Sequence, residues 1–519
     1  MASLVSVLLL LLGCGGDKKL PAGDPARPDI VLISVDTLRA DHLRSYGHPR
    51  ETSPFFDALA ADGVRYSQAR SASPWTLPAH TTMLTGQLPT THGIIEDKLS
   101  LPAEAPFLPE LLQGAGYATG GFVGTLYVSR MFKFDRGFDE FNDFGIHTEK
   151  ANLRGETVAS DVVDEALRWW GSLPPEKPVF LFLHVYDVHY TYDPPAPYDT
   201  RFDRAPDGKD PKYKNYKHYH KHPLKDEAME HQRAQYDEAI AYVNDQFARV
   251  KAAADAAGRS VRFIITSDHG EEFGERGSWG HAHTLYAEQL HIPLILSGPG
   301  VGKGVVSDED VGSQDIAPTI AAWTGIEGLN PDGRDLSPTW SGGALGPRPF
   351  LGETSRFTTN RLSIYDQGLR VEWDLKSGAT ELFDVKADPA ERSALGPERA
   401  ADRDRLLSLG ETLLGAPWEA TAAGRVTSSG VLVKNGRQTA LDVVPGDRFA
   451  VLPLDATVTF TAGGAEQGPF QAMGGTLPGE GAGLAFRGKA GGDAVTHDEA
   501  TKKLLEDIGY IQREDEDEE

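Results

Sequence analysis

The stretch Ser73-Pro74-Trp75-Thr76-Leu77-Pro78-Ala79-His80-Thr81-Thr82-Met83-Leu84-Thr85-Gly86 places a hydroxyl where chemistry could use one. Pro74 and Pro78 mark the start of a short predicted helix and Gly86 ends it. Thr76 falls at that start, where a side chain can point outward and the first helical N–H groups are free to hold an anion. A hydroxyl there is a candidate nucleophile if a metal or base activates it. The commoner fate of an isolated Thr at a helix start is to cap it from a buried position. Other reactive side chains gather at the ends of apolar runs. Asp36 follows the run from Asp29, Asp268 and His269 follow the run from Val261, and His184 and His189 lie at the end of the run from Val179. Carboxylates at the carboxyl ends of parallel strands sit where open α/β sheets bind ligands, and a strand-ending Asp is also a frequent helix cap.

Three short, mostly apolar runs must position these groups. Residues 29–35, 179–185 and 261–267 each read as a strand buried on both faces. Residues 107–116, 158–170 and 235–254 read as helices, and residues 117–123 as a turn plus strand. From about Pro347 the texture changes: residues 361–373 and 379–385 alternate like exposed strands. Residues 421–478 are rich in Gly and Val and read as a β module. Residues 209–225 interleave Lys with Tyr and His, which suits either a solvated loop or a cover for an anion, and the solvated loop is favoured.

A chain of 519 residues with 40% hydrophobic and 24% charged residues builds a large core in more than one folding unit. The net charge of -25 argues against a general nucleic-acid binder and requires a local cation to receive any anionic substrate. Cys14 is the only cysteine, so no intrachain disulfide forms. Leu4 to Leu12 is apolar but too short to span a bilayer, and Leu11-Leu12-Gly13-Cys14 resembles a bacterial lipobox. The expectation is an exported protein, tethered to the membrane through a lipid on Cys14, with residues up to 27 as signal peptide and linker.

The motifs, in order, resemble those of the sulfatase family of the alkaline-phosphatase-like superfamily. Its signature, Cys/Ser-x-Pro-Ser-Arg followed by Leu-Thr-Gly, aligns Thr76 with the nucleophile, Pro78 with the proline, Ala79 with the serine and His80 with the arginine. Thr cannot give the formylglycine aldehyde made from Cys or Ser, so the expected nucleophile is the unmodified hydroxyl. Asp36 matches the first of two adjacent Asp ligands, with Thr37 in place of the second. Asp268 and His269 match a later ligand pair. His189 matches a histidine that contacts the substrate oxyanion, and His281 and His283 lie where a Lys does so in the family.

The resemblance implies a three-layer α/β/α sandwich with a mostly parallel sheet plus a small C-terminal antiparallel-sheet subdomain. The expected division is catalytic domain 28–346, α+β subdomain 347–418, unassigned β-rich insertion 419–497, and closing helix with acidic tail 498–519. It implies one divalent metal held by Asp36, Thr76, Asp268 and His269, with manganese or zinc favoured over calcium because an imidazole replaces an oxygen donor. A second metal on Asp187, His189 and His283 ranks below this. His80, His189 and His283 are the expected catalytic imidazoles, and His189, His281 and His283 the substrate contacts, with His283 preferred to His281. The implied activity is hydrolysis of sulfate or phosphate esters. The alternatives are a phosphoglycerol- or phosphoethanolamine-type transferase or phosphodiesterase, and a non-catalytic glycan- or lipid-binding protein.

Overall fold

The structure is a computed structural model. It describes residues 27–144, 159–174, 176–190, 192–202, 224–356, 360–415, 418–433, 437–452, 456–471, 478, 482, 484–486 and 495. The signal region with Cys14, the Lys- and Tyr-rich stretch up to residue 223, and the expected closing helix with its acidic tail lie outside the described residues.

Eight strands form the main sheet, in the order Val305–Ser307, Gly63–Tyr66, Leu294–Ser297, Val261–Ser267, Asp29–Val35, Val179–Val185, Ala118–Val123, Glu140–Asn142. Only Leu294–Ser297 runs against the others. The three strands expected to be doubly buried are the sheet's centre. Every residue of Asp29–Val35 and Val179–Val185 is buried, as two-sided helix cover demands.

Side-chain alternation divides the core between the two faces of the sheet. Val31, Ile33 and Val35 pack with helices Pro54–Ala61, Ala159–Trp170 and Asp226–Ala256. Ile30 and Leu32 pack on the other face with helices Thr76–Thr85 and Ile316–Thr324. The result is the expected three-layer sandwich. The helix Asp226–Ala256 begins nine residues earlier than the sequence pattern placed it, at Asp226 and Glu227, whose charges suit a helix N-terminus.

Residues Phe350–Thr354, Arg361–Asp366, Leu369–Asp374 and Thr380–Asp384 form a four-stranded antiparallel sheet in chain order, covered by the helix Ala400–Leu414. These strands are more buried than their alternation predicted. The helix covers one face through Leu406 and Leu407, while Phe350, Tyr365 and Phe383 pack on the other against Ala72 and Tyr286 of the main domain. Residues from Trp418 to Phe486 add a seven-stranded antiparallel sheet with its own core, into which Ile95 of the main domain inserts.

In-register pairing matters most for function. Val35 lies beside Val185 and Ser267, so the three central strands end level and Asp36 and Asp268 emerge side by side. The Thr76 helix closes over them and stops at Gly86, whose φ of 73° is left-handed and whose added Cβ would meet Pro331 at 2.7 Å. Gly86→Ala should therefore lower unfolding free energy by roughly 1–2 kcal/mol from backbone strain, with more from the clash; denaturant unfolding with unchanged slope measures it.

Candidate active site

Thr76 is the first residue of its helix, follows the extended Trp75, and is fully buried. Its hydroxyl oxygen lies 3.4 Å from His269 Nε2. Across from it stand Asp36 and Asp268, both fully buried. Asp268 Oδ1 accepts backbone N–H bonds from Thr37 at 3.2 Å and His269 at 2.9 Å, which fixes the carboxylate plane. Among the described residues its Oδ2 receives no hydrogen bond, and no backbone N–H reaches either oxygen of Asp36, on which the Thr76 side chain acts.

Burial drives the Asp36 carboxyl well above its ordinary range, with Asp268 and Glu271 adding repulsion, and burial raises Asp268 likewise. His269 supplies the telling detail. Its Nδ1 lies 2.9 Å from the Gly270 carbonyl, which can only accept, so that nitrogen carries the proton. Burial pushes its pKa down to about 3, so the ring is neutral and Nε2 presents a lone pair. That lone pair faces Asp268 Oδ2 at 3.3 Å and Asp36 Oδ1 at 4.0 Å. Lone pairs converging on one point repel each other unless a cation stands among them. Asp36, Asp268 and His269, with donor atoms within 4.8 Å of one another, fit a divalent ion, and the Thr76 hydroxyl lies beside them.

Thr37, which stands where a second carboxylate was expected, turns away from this point. Its backbone is left-handed at φ 55°, an uncommon state for a β-branched residue, and its hydroxyl donates to Val188 O at 2.9 Å. The Tyr236 hydroxyl holds the Thr37 carbonyl at 2.7 Å. The strained turn thus aims Thr37 N–H at Asp268 and keeps its side chain out of the site.

The histidines divide into distinct groups. His80 places Nδ1 2.9 Å from Thr76 O and Nε2 3.0 Å from Ser34 Oγ, so it braces the helix start from inside. His189 and His281 meet Nε2 to Nε2 at 2.9 Å, with the Tyr186 hydroxyl 3.1 Å from His189, and the His281 ring lies 4.4 Å from that of His269. His283 instead contacts His281 O at 2.9 Å and pairs with buried Glu272 at 3.0 Å. The structure thus brings His281, and not the preferred His283, against His189 and His269. Ala282 between them has φ 73°, which the sequence pattern did not signal.

The expected second metal set is not assembled among the described residues. Asp187 accepts from Ala159 N at 3.1 Å, and His283 is held by Glu272. Sequence reasoning also missed Glu271, a buried acid that accepts from Tyr192 OH, and passed over His184, which lies 3.3 Å from Asp36. The signal for His184 was its place on a strand that pairs directly with the Asp36 strand, opposite Ser34.

Burial raises Glu271 and Glu353 to about 8 and Asp187 to about 7, and raises Asp36 and Asp268. A carboxyl raised in the folded state favours folding below its unfolded value of about 4 and loses that contribution as pH rises through the folded value. Ordinary histidines are unprotonated above pH 7 both folded and unfolded, so they add little slope there. Metal-free protein should therefore lose unfolding free energy between pH 7 and 8.5. Divalent ion should reverse most of the Asp36 and Asp268 share, with a gain of about 2.7 kcal/mol at 100-fold excess over Kd, read by denaturant titration with and without chelator.

Residues 28–326 match the family described as Sulfatase. An ulvan-active sulfatase of Formosa agariphila is 26% identical over 348 residues, an alignment spanning 60% of this chain and 65% of that relative. A structure in complex with its substrate D-glucosamine-2-N,6-O-disulfate superposes with a TM-score of 0.62 at 20% identity, covering 75% of this chain and 97% of the other. The phosphonate monoester hydrolase of Agrobacterium radiobacter gives 0.60 at 20% identity, covering 75% and 95%. With a family match over more than half its length, laid on a sheet whose strand ends converge on two carboxylates, an imidazole and a hydroxyl, the chain belongs to the sulfatase family.

Proposed function

We propose that this chain hydrolyses sulfate esters of carbohydrates, with the unmodified hydroxyl of Thr76 as nucleophile. The observation that carries the reading is the Thr76 hydroxyl, 3.4 Å from His269 Nε2, at a buried point ringed by carboxylate oxygens. The relatives that act on sulfated glycans supply the substrate class. When bound, a divalent ion at Asp36, Asp268 and His269 supplies the charge that favours the ionised hydroxyl and the ester's oxygens.

Thr76 Oγ attacks sulfur in line as the S–O bond to the alcohol breaks. The proton lost by Thr76 balances the one the leaving alcohol takes up. The His189–His281 pair, packed on His269, is assigned the handling of that proton. Water then attacks the threonyl sulfate at sulfur, releasing hydrogen sulfate and restoring Thr76. His80 keeps the helix start in place through Thr76 O.

A second reading follows from the same residue. A threonyl ester has no aldehyde hydrate through which to expel sulfate by elimination, which favours a phosphate or phosphonate ester. The phosphonate hydrolase fold match is consistent with it. Purified protein lacking residues before Asp17 should cleave nitrophenyl sulfate with manganese or zinc. Thr76→Ala should lose at least about a thousandfold in kcat/KM, and Thr76→Ser should keep part of it. Turnover of nitrophenyl phosphate or phosphonate alone would give the second reading, and full activity in Thr76→Ala would remove Thr76 from the reaction.

The exported, membrane-tethered state through Cys14 is part of the same proposal, resting on Leu11-Leu12-Gly13-Cys14. Radiolabelled palmitate should enter the full chain and fail to enter Cys14→Ser, with the protein moving from membrane to soluble fraction. Equal labelling of both would overturn the anchor.

A further inference from the structure

Asp268 is held by two backbone N–H groups, whereas among the described residues no backbone N–H reaches Asp36 and the Thr76 hydroxyl is the side chain that acts on it, although both acids lie fully buried. A carboxylate that must present one oxygen to an ion and is held by no backbone N–H can rotate about its terminal bond. The nearest ring nitrogen on its far side belongs to His184. This residue is fully buried, and among the described residues neither of its ring nitrogens has a hydrogen-bond partner. Its Nε2 stands 3.3 Å from Asp36 Oδ2, while Asp36 Oδ1 is the oxygen turned towards His269. The carboxylate thus divides between an imidazole and the candidate ion site.

We infer that His184 is the positioning residue of Asp36: a small turn of its ring from the present 3.3 Å approach lets Nε2–H donate to Oδ2 and leaves Oδ1 to the ion. The inference rests on the metal site proposed above. Ligating carboxylates need such outer partners, and losing one weakens metal binding about 10- to 100-fold. His80, His184 and Asp268 also lie within 4.8 Å of one another, but they do not make a second ion site. His80 Nδ1 gives its proton to Thr76 O and its Nε2 meets Ser34, so only His184 and Asp268 retain free donors there. The pairing is built into the sheet, because Ser34 and His184 lie opposite each other on adjacent parallel strands, two residues before Asp36.

The test measures manganese affinity by calorimetry for the wild type, His184→Leu, His184→Gln and Asp36→Asn, each first shown to be folded by circular dichroism. Leu fills the space without a donor, and Gln restores one. His184→Leu should weaken manganese binding about 10- to 100-fold, and His184→Gln should recover most of it. Asp36→Asn should weaken binding at least as much. Unchanged affinity in His184→Leu beside a loss in Asp36→Asn would overturn the role of His184 alone; unchanged affinity in Asp36→Asn would overturn the metal site itself. The wild-type protein gives an answer that does not depend on the variants folding. Pulsed electron paramagnetic resonance of the manganese-loaded chain should show one coordinated imidazole nitrogen, that of His269. Two would make His184 a direct ligand and overturn the positioning role.

Discussion

Two unneutralised carboxylates set side by side in the interior are the constraint on which this structure depends. Asp36 and Asp268 leave the ends of adjacent parallel strands, fully buried, with donor atoms no more than 4.8 Å apart. At that distance two full charges repel by roughly 3 to 4 kcal/mol even at an effective dielectric of about 20, and desolvation adds to it. The strand that carries Asp36 shows the alternative at its other end. Asp29 is equally buried, yet Arg259 grips its carboxylate, with Nη2 2.7 Å from Oδ1, and Val179 N donates to it at 2.8 Å. The same seven-residue strand thus ends in a satisfied charge on one side and an open one on the other. A structural acid has its partner built in, whereas Asp36 leaves room for a partner from solution.

The architecture around the pair makes sense as the means of holding it. Level strand ends come from in-register parallel pairing, and parallel pairing needs helix layers on both faces. The Thr76 helix is buried along its whole length and sets the Thr76 hydroxyl 3.4 Å from His269 Nε2, beside the carboxylates. Backbone strain is placed in the same region, at Thr37 and Ala282. At Thr37 it directs an N–H to Asp268, and at Ala282 it separates two histidines with different duties. Each such residue costs about 1–3 kcal/mol, which the surrounding core must over-determine.

The sheet centre was legible because mostly apolar runs of seven residues have few other fates, and strand-end Asp36, Asp268 and His269 came with it. Thr76 was legible from the prolines and Gly86 that bracket its helix. What could not be read was direction. His283 was preferred to His281 in sequence, but the two are two residues apart and the left-handed backbone at Ala282 sends the His281 ring to His189 and the His283 ring to Glu272. Asp187 entered as a second-metal ligand only through likeness to two-metal members of the family, and it accepts from the N-terminus of the helix Ala159–Trp170. The alternation of residues 361–373 suggested exposure, because sequence cannot show that a helix covers one face of the small sheet and the main domain the other.

Electrostatics then constrains how an anionic ester can bind. Burial keeps the imidazoles around Thr76 neutral: His189 and His269 are pushed to about 3, His80 is lowered, and His184 and His281 lie well below their ordinary value. They can donate or accept single hydrogen bonds, but they bring no net charge to a site that already contains two carboxylates, in a chain of net charge -25. Where the family signature has an arginine, this chain has His80, and its ring is spent on Thr76 O and Ser34 rather than on a substrate. The attraction for an anion at Thr76 therefore falls on a bound cation. A cation at that point would relieve the repulsion between Asp36 and Asp268 and offset the charge of an anionic ester, so under the proposed reading stability and substrate affinity would share one cause.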